Sequence, residues 1–379
     1  MPDAALAKHP DVGGAWATRL PPPGPEGEDG PWEDRRVRFA SRLFVAAVAA
    51  LVASCASRQQ PPRPTPPPVA RPGTGVPTTP PPPAPVLPPS GDLVLRIETG
   101  ARGTGQVEAV PLEAYVRDVV VGEIAVAPQD GSLAGQAYAA QAIVARTYAL
   151  AVRGRHAAEG FDLCSTTHCQ VYVRDQWRRS RWASEVDAAV TRTRGQYLSS
   201  AGRPIEAVFH AHCGGHTSAA VEVWRTAGAP YLRGVEDPYC VREQSGDWSS
   251  RLELEAVRAA LNRRPRTEVG DRLDGVQVLR RDAGGRVVEL VLSGARSPVV
   301  TAEDFRLAVI AAAGVRSLRS TRFEVARHGT ALVFTGRGSG HGVGLCQVGL
   351  LGRLRAGQTV AQVLGAYYAG VDLSRLGGT

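Results

Sequence analysis

From residue 93 onward the chain alternates between two apolar spacings. Leu93-Val94-Leu95-Arg96-Ile97-Glu98 has the period of two expected of a half-buried strand, and Gln106 to Val110 follows as a second strand after a Gly turn. Pro111 then opens a helix with Leu112, Tyr115, Val116 and Val119 on one stripe. A second, Ala-rich helix is predicted from an N-cap at Ser132 to about Val152, stopped by Gly154. Its small side chains let a neighbouring element approach closely. Further on, Val276 to Arg280 and Val287 to Leu292 flank Asp282-Ala283-Gly284-Gly285 and predict a hairpin. Thr301 to Ala313 predicts a capped helix, Phe323 to Ala326 and Ala331 to Thr335 flank another turn, and two helices close the chain, about Gln347 to Arg355 and Val360 to Tyr368. Strands and helices mix without regular βαβ alternation and without a repeat of fixed period. The predicted fold class is therefore α+β, a single mixed domain over residues 93–375.

The first 92 residues carry no such periodicity. Residues 1–34 are rich in Pro, Gly and acid and read as an unstructured extension, with translation expected to start near Val37. Residues 35–55 read as a secretory signal: Arg35-Arg36-Val37-Arg38 and Ser41-Arg42 precede the apolar run Leu43 to Ala53. The run ends Val52-Ala53-Ser54-Cys55, which resembles a bacterial lipobox, so Cys55 is the expected lipidation site and the protein an extracytoplasmic one anchored to a bacterial membrane. Residues 56–92 form a linker in which Pro supplies half of the stretch from Pro61 to Ser90. Pro fixes φ and removes donors, so this segment favours extended polyproline II, with a reach on the order of 90 Å at about 3.1 Å per residue.

Composition narrows the function classes. The 43% hydrophobic content suffices for a sizeable core, and the apolar run near residue 44 falls short of a comfortable membrane span. A net charge of +8 suggests nucleic acid at first, but Lys8 is the only lysine among 44 basic residues. That skew follows GC-rich coding, and basic stripes with interleaved aromatics are absent, so no nucleic-acid partner is expected.

Five segments carry candidate chemistry. Glu123 stands among aliphatic neighbours just past a helix; burial there would raise its pKa, as a general acid near neutral pH requires. The plain alternative is a surface Glu. Gln141, Ala145 and Tyr148 share a helical face, and Arg146 beside them would suit an anionic or carbonyl-rich ligand or, more plainly, solvent. Cys164 and Cys169, with His156 and His168, suit zinc or a disulfide equally. The segment His210-Ala211-His212-Cys213-Gly214-Gly215-His216, followed by Cys240, suits a metal, a Cys213–Cys240 disulfide or plain turns. Finally, Gly336 to Gly344 lacks the features of a phosphate loop but allows a tight turn around His341.

Taken in order, these segments resemble the stage II sporulation protein D / amidase enhancer LytB family. The matching motifs are Leu112 to Val116, Gly122-Glu123, Ala139 to Leu150, Cys164 to Tyr172, His212 to Thr217, Trp224, Gly338 to Gln347 and Ala366 to Gly370. Ile124-Ala125 stand where the family usually has Met-Pro. The resemblance implies a lytic transglycosylase of peptidoglycan glycan strands stripped of their peptides, with Glu123 as the single acid/base. It places Gln141, Arg146, Tyr148, His341 and Gln347 at the substrate. It implies up to one structural zinc at Cys164, Cys169 and His156, with His168 competing for the histidine position, and no metal in the reaction itself. The family's other described role, wall-binding activator of an amidase, makes a cell-wall amidase the alternative partner. A third reading is a zinc amidase built on the His210–His216 cluster.

Overall fold

In the computed structural model the described residues are 93–99, 105–225, 229–243 and 246–377. The extension, signal, Cys55 and the whole linker lie outside them. Strand β1 (Val94–Glu98) pairs antiparallel with β2 (Val107–Pro111), and β3 (Leu163–Cys164) joins β1 in parallel. Pro111 ends β2 and the helix begins at the next residue, α1 (Leu112–Glu123), which buries the predicted stripe. A short 3-10 turn at Pro128–Asp130 runs directly into α2 (Gly131–Val152), so Ser132 lies inside the helix and caps nothing. From Ala137 to Leu150 every residue of α2 is buried. A helix buried on all sides needs neighbours on all sides, and α2 has them in α1, α3 (Ala183–Arg192), β4 (Gln196–Ser200) and the two closing helices. Seven of its eight Ala side chains are buried and let those neighbours close in.

β4 pairs with β5 (Arg203–Pro204), and β6 (Phe209–His210), α4 (Ala220–Trp224) and α5 (Pro238–Glu243) follow. The chain then builds a second hydrophobic core. β7 (Asp247–Glu253) leads into α6 (Leu254–Leu261), and β8 (Leu273–Arg281), β9 (Val287–Gly294) and β10 (Val299–Thr301) form an antiparallel sheet. The predicted hairpin is β8–β9, its turn closed by the Gly285 N–H on Asp282 O at 3.0 Å. α7 (Ala302–Ala313) is capped as expected: the Asp304 N–H donates to the Thr301 hydroxyl at 3.0 Å. β11 (Phe323–His328) and β12 (Ala331–Arg337) pair in the second predicted hairpin, and β7 lines β12's other edge. Phe305, Phe323 and Phe334 meet at the centre of this core.

The chain returns to the first core through β13 (Leu345–Cys346), which pairs in parallel with β6. It closes with α8 (Gln347–Arg355), α9 (Val360–Tyr367) and β14 (Asp372–Arg375), the last on the edge of β4. A capping box between Thr359 and Gln362 starts α9. The fold is α+β, as predicted, with two cores in one body. Among the described residues no helix is long and apolar enough to cross a membrane.

Candidate active site and metal centre

The carboxylate of Glu123 opens into a cleft of about 620 Å³, which Tyr148, His168, Cys169, Trp224 and His341 also line. Glu123 is the last residue of α1. The Ile124 N–H closes the final turn on Val120 O at 3.1 Å, and Ile124 itself is extended and buried. The Ile-Ala sequence after the acid therefore leaves Glu123 facing the cleft. The Val171 N–H donates to Glu123 Oε1 at 2.9 Å, and among the described residues no other hydrogen bond reaches the carboxylate. Burial raises its pKa above the ordinary range, against the opposing pull of that N–H.

The segment bearing Val171 is tied down from several sides. Asp118 on α1 accepts the Asp175 N–H at 3.1 Å and the Trp177 N–H at 3.3 Å. Tyr115 stacks on Tyr172 at 5.5 Å between centroids and donates to Gln170 at 3.0 Å. Gly122 is small because a Cβ there would stand 2.9 Å from the Gln176 amide.

His341 sits across the cleft with both ring nitrogens engaged: Nδ1 accepts the Val343 N–H at 3.1 Å and Nε2 donates to Phe209 O at 2.9 Å. Burial pushes its pKa down to about 3, so the ring is neutral and keeps its one proton on Nε2. It offers the cleft a ring face, not a titrating nitrogen, and lies 5.2 Å between centroids from the exposed indole of Trp224. Tyr148 accepts from Arg155 at 3.0 Å, which leaves its own O–H to donate. Two further carboxylates that no sequence motif marks stand on the cleft wall, each paired with an arginine: Glu206 with Arg155 at 3.7 Å and Glu303, whose pKa burial also raises, with Arg306 at 2.9 Å.

The other expected substrate residues do not reach the cleft. Arg146 is fully buried and forks onto Glu113, Nε to Oε1 at 3.0 Å and Nη2 to Oε2 at 2.6 Å, with Nη1 on Gln196 O at 3.0 Å. Its partner, 33 residues earlier, makes it a core strut; the substrate role is corrected accordingly. Gln141 is buried in α2 with neither amide atom hydrogen-bonded, and nothing in the structure explains an amide there. Gln347 is buried at the start of α8. Neither Gln lines the cleft.

At the cleft's edge His156, Cys164, His168 and Cys169 place one ligand atom each within 4.8 Å of one another, and the two thiols are unlinked. Both histidines belong to the set: His156 Nε2 is 3.5 Å from Cys169 Sγ, and His168 Nδ1 is 3.6 Å from each sulfur. They do not compete. The Glu159 carboxylate takes the Nδ1 proton of His156 at 2.5 Å, which directs Nε2 inward. Two thiols and two imidazoles suit tetrahedral zinc. The histidines of the 210–216 segment do not gather in this way. His210 bonds Val343 O, His212 packs on Cys240, and His216 bonds Thr217 O. No group of ligands among the described residues includes His210 or His216, which removes the basis for a zinc amidase there.

Comparison with known proteins bears on the same segments. Residues 101–199, which hold Glu123 and the zinc-type cluster, match the family model described as Stage II sporulation protein. Residues 242–344, essentially the second core, match a domain of unknown function (DUF8618). The chain is 30% identical over 279 residues to stage II sporulation protein D of Bacillus amyloliquefaciens, covering 71% of this chain and 75% of that one. It is 28% identical to the protein of that name from Bacillus subtilis (strain 168), covering 71% and 76%. To the amidase enhancer of Bacillus subtilis it is 25% identical over 283 residues, which are 63% of this chain but 38% of the enhancer. With Glu123 in the cleft and two thirds or more of a 30% identical relative covered, the chain belongs to the stage II sporulation protein D / LytB family.

Proposed function

We propose that the protein works on the bacterial cell wall as a lytic transglycosylase, cutting peptidoglycan glycan strands to 1,6-anhydro-muramyl products with Glu123 as the one acid/base. The observation that carries this reading is the setting of Glu123: a carboxyl of raised pKa, held by a single N–H and, among the described residues, with no cation beside it, whereas the other cleft carboxylates, Glu206 and the likewise raised Glu303, each pair with an arginine. Ordinary glycosidases need two carboxyls, one to protonate the leaving oxygen and one to attack or activate water. Here one suffices. Protonated Glu123 gives its proton to the glycosidic oxygen as the bond from that oxygen to the anomeric carbon breaks. The muramyl C6 hydroxyl then bonds to the anomeric carbon and its proton returns to the Glu123 carboxylate. No water is consumed and the acid is regenerated. The faces of Trp224 and His341 suit the weakly positive C–H faces of sugar rings.

The test is mass analysis of wall glycan digested by the purified protein, with and without stem peptides. Anhydro ends from peptide-free strands are expected. None from either substrate, with binding intact, would favour the second reading, an activator of a wall amidase, for which the likeness to an amidase enhancer speaks.

One zinc at His156, Cys164, His168 and Cys169 belongs to the same proposal. Four protein ligands leave no open position, so such an ion is structural; it stiffens the loop from which Val171 reaches Glu123. Glu159→Gln should weaken zinc binding about 10- to 100-fold by removing the carboxylate that orients His156. Competition with a chromogenic chelator measures this, and unchanged affinity would take His156 out of the ligand set. The proposed location is outside the cytoplasmic membrane on a lipid at Cys55. Cys55→Ala should then move the protein from the membrane to the soluble extracytoplasmic fraction, whereas continued membrane association would mean an uncleaved apolar anchor.

A further inference from the structure

A second set of metal-type ligands lies in the core. Cys213 follows β6, Cys240 is on α5 and Cys346 caps α8; all three are fully buried and unlinked. Asp237, also fully buried, stands just before α5. The Sγ atoms of Cys240 and Cys346 are 3.5 Å apart, Cys213 Sγ is 3.4 Å from Asp237 Oδ2, and one ligand atom from each of the four lies within 4.8 Å of the rest. A tetrahedral ion with metal–sulfur arms of about 2.3 Å has edges of roughly 3.8 Å, so a single ion fits between them.

The surroundings suit thiolates. Cys346 Sγ accepts N–H groups from Cys213 at 3.2 Å and Gly349 at 3.3 Å, and Cys213 Sγ accepts the Gly215 N–H at 3.3 Å. That last bond depends on the Cys-Gly-Gly turn, in which Gly214 and Gly215 have φ of 79° and 107°. Asp237 takes the Tyr367 hydroxyl on Oδ2 at 2.7 Å, but its buried Oδ1 accepts no hydrogen bond and has only Arg353 at 3.5 Å. A buried carboxylate whose second oxygen has one cation at 3.5 Å and no hydrogen bond, beside three sulfurs, gains from a closer cation. A disulfide between two of the three would leave the third thiol unlinked and Oδ1 still without a hydrogen bond.

We propose that Cys213, Cys240, Cys346 and Asp237 bind one zinc ion as a second, structural site. Three thiolates and a carboxylate in a tetrahedron favour zinc over the harder oxygen-seeking cations. The ion joins the segment after β6, α5 and the start of α8, and so fixes where the Gly338–Gly344 loop brings His341 to the cleft. The site is independent of the reaction proposed above.

Native mass spectrometry of the full chain, supplied with zinc and purified without chelator, should count two zinc ions in the wild type. It should count one in His156→Ala/Cys169→Ala, where only the buried site remains. X-ray absorption at the zinc edge of that variant should be dominated by sulfur, with no more than one nitrogen or oxygen neighbour. A wild type that binds no zinc, or saturates at one whose zinc-edge spectrum shows two sulfur and two nitrogen neighbours, overturns the proposal, and this reading holds whether or not the variant folds. So does alkylation of the unfolded, unreduced wild type that finds only one of Cys213, Cys240 and Cys346 reactive, because the other two are then a disulfide.

Discussion

Glu123→Gln is expected to remove anhydro product from the digest while glycan still binds. Gln fills nearly the same volume and keeps a hydrogen bond to the leaving oxygen, but it has no proton to deliver. Loss of general acid–base help is typically about 10²- to 10⁴-fold, or roughly 3 to 5 kcal/mol in barrier. Glu206→Gln should cost far less, because Glu206 is exposed and pairs with Arg155, and Glu303→Gln is the control that separates Glu123 from the other carboxyl that burial raises. The wild-type pH profile has the matching sign. Burial raises the pKa of Glu123, and the working form is protonated, so the rate is full below that raised pKa and falls as pH climbs through it. The Glu123→Gln residue should lose this limb. Anhydro ends from Glu123→Gln at the wild-type rate would move the acid elsewhere.

Arg146→Ala should act on stability instead. The substitution strands Glu113 in the core, facing the Gly195 N–H at 3.1 Å but no cation, and breaking a buried pair typically costs about 3 to 5 kcal/mol. For a body of this size that is a fall in melting temperature on the order of 10 °C. Lys at this position should recover only part, since an ammonium cannot fork onto both oxygens. Thermal and denaturant melts measure the loss. The fraction that remains folded should keep the wild-type KM, because Arg146 touches neither cleft nor ligand. A normal melt with a raised KM would restore Arg146 to the substrate.

Local patterns were readable in the sequence; pairings across long stretches were not. The α1 stripe, the β8–β9 hairpin, the Thr301 cap and the closing helices each depend on neighbours a few residues apart, and the periodicity shows them. The parallel pairing of β3 with β1 and of β13 with β6 joins, through two residue pairs each, segments separated by more than 60 residues, which no period reveals. The second core went unread because its strands alternate no differently from those of the first. At the site, Glu123 stood out as a candidate because Gly122-Glu123 interrupts an aliphatic run, but a surface Glu was the plainer reading until the motifs fell in the family's order. Arg146 was misplaced because Glu113 lies on another helix. His156 and His168 read as rivals because spacing alone cannot show that the loop folds back over the helix end. Cys346, at the end of the glycine-rich motif, gave no sign that it meets Cys213 and Cys240.

The two cores divide the work of the cleft unequally. Glu123, Tyr148 and the Val171 loop grow from the first, whereas Glu303, Arg306 and Leu307 reach in from α7 on the second. On the proposed reading the acid therefore stands on one core and part of the facing wall on the other. Mild denaturant that loosens the α1 side should silence turnover, whereas loosening of the α7 side should leave Glu123 and its Val171 N–H in place. A cleft made this way can change the shape of one wall without moving the acid on the other.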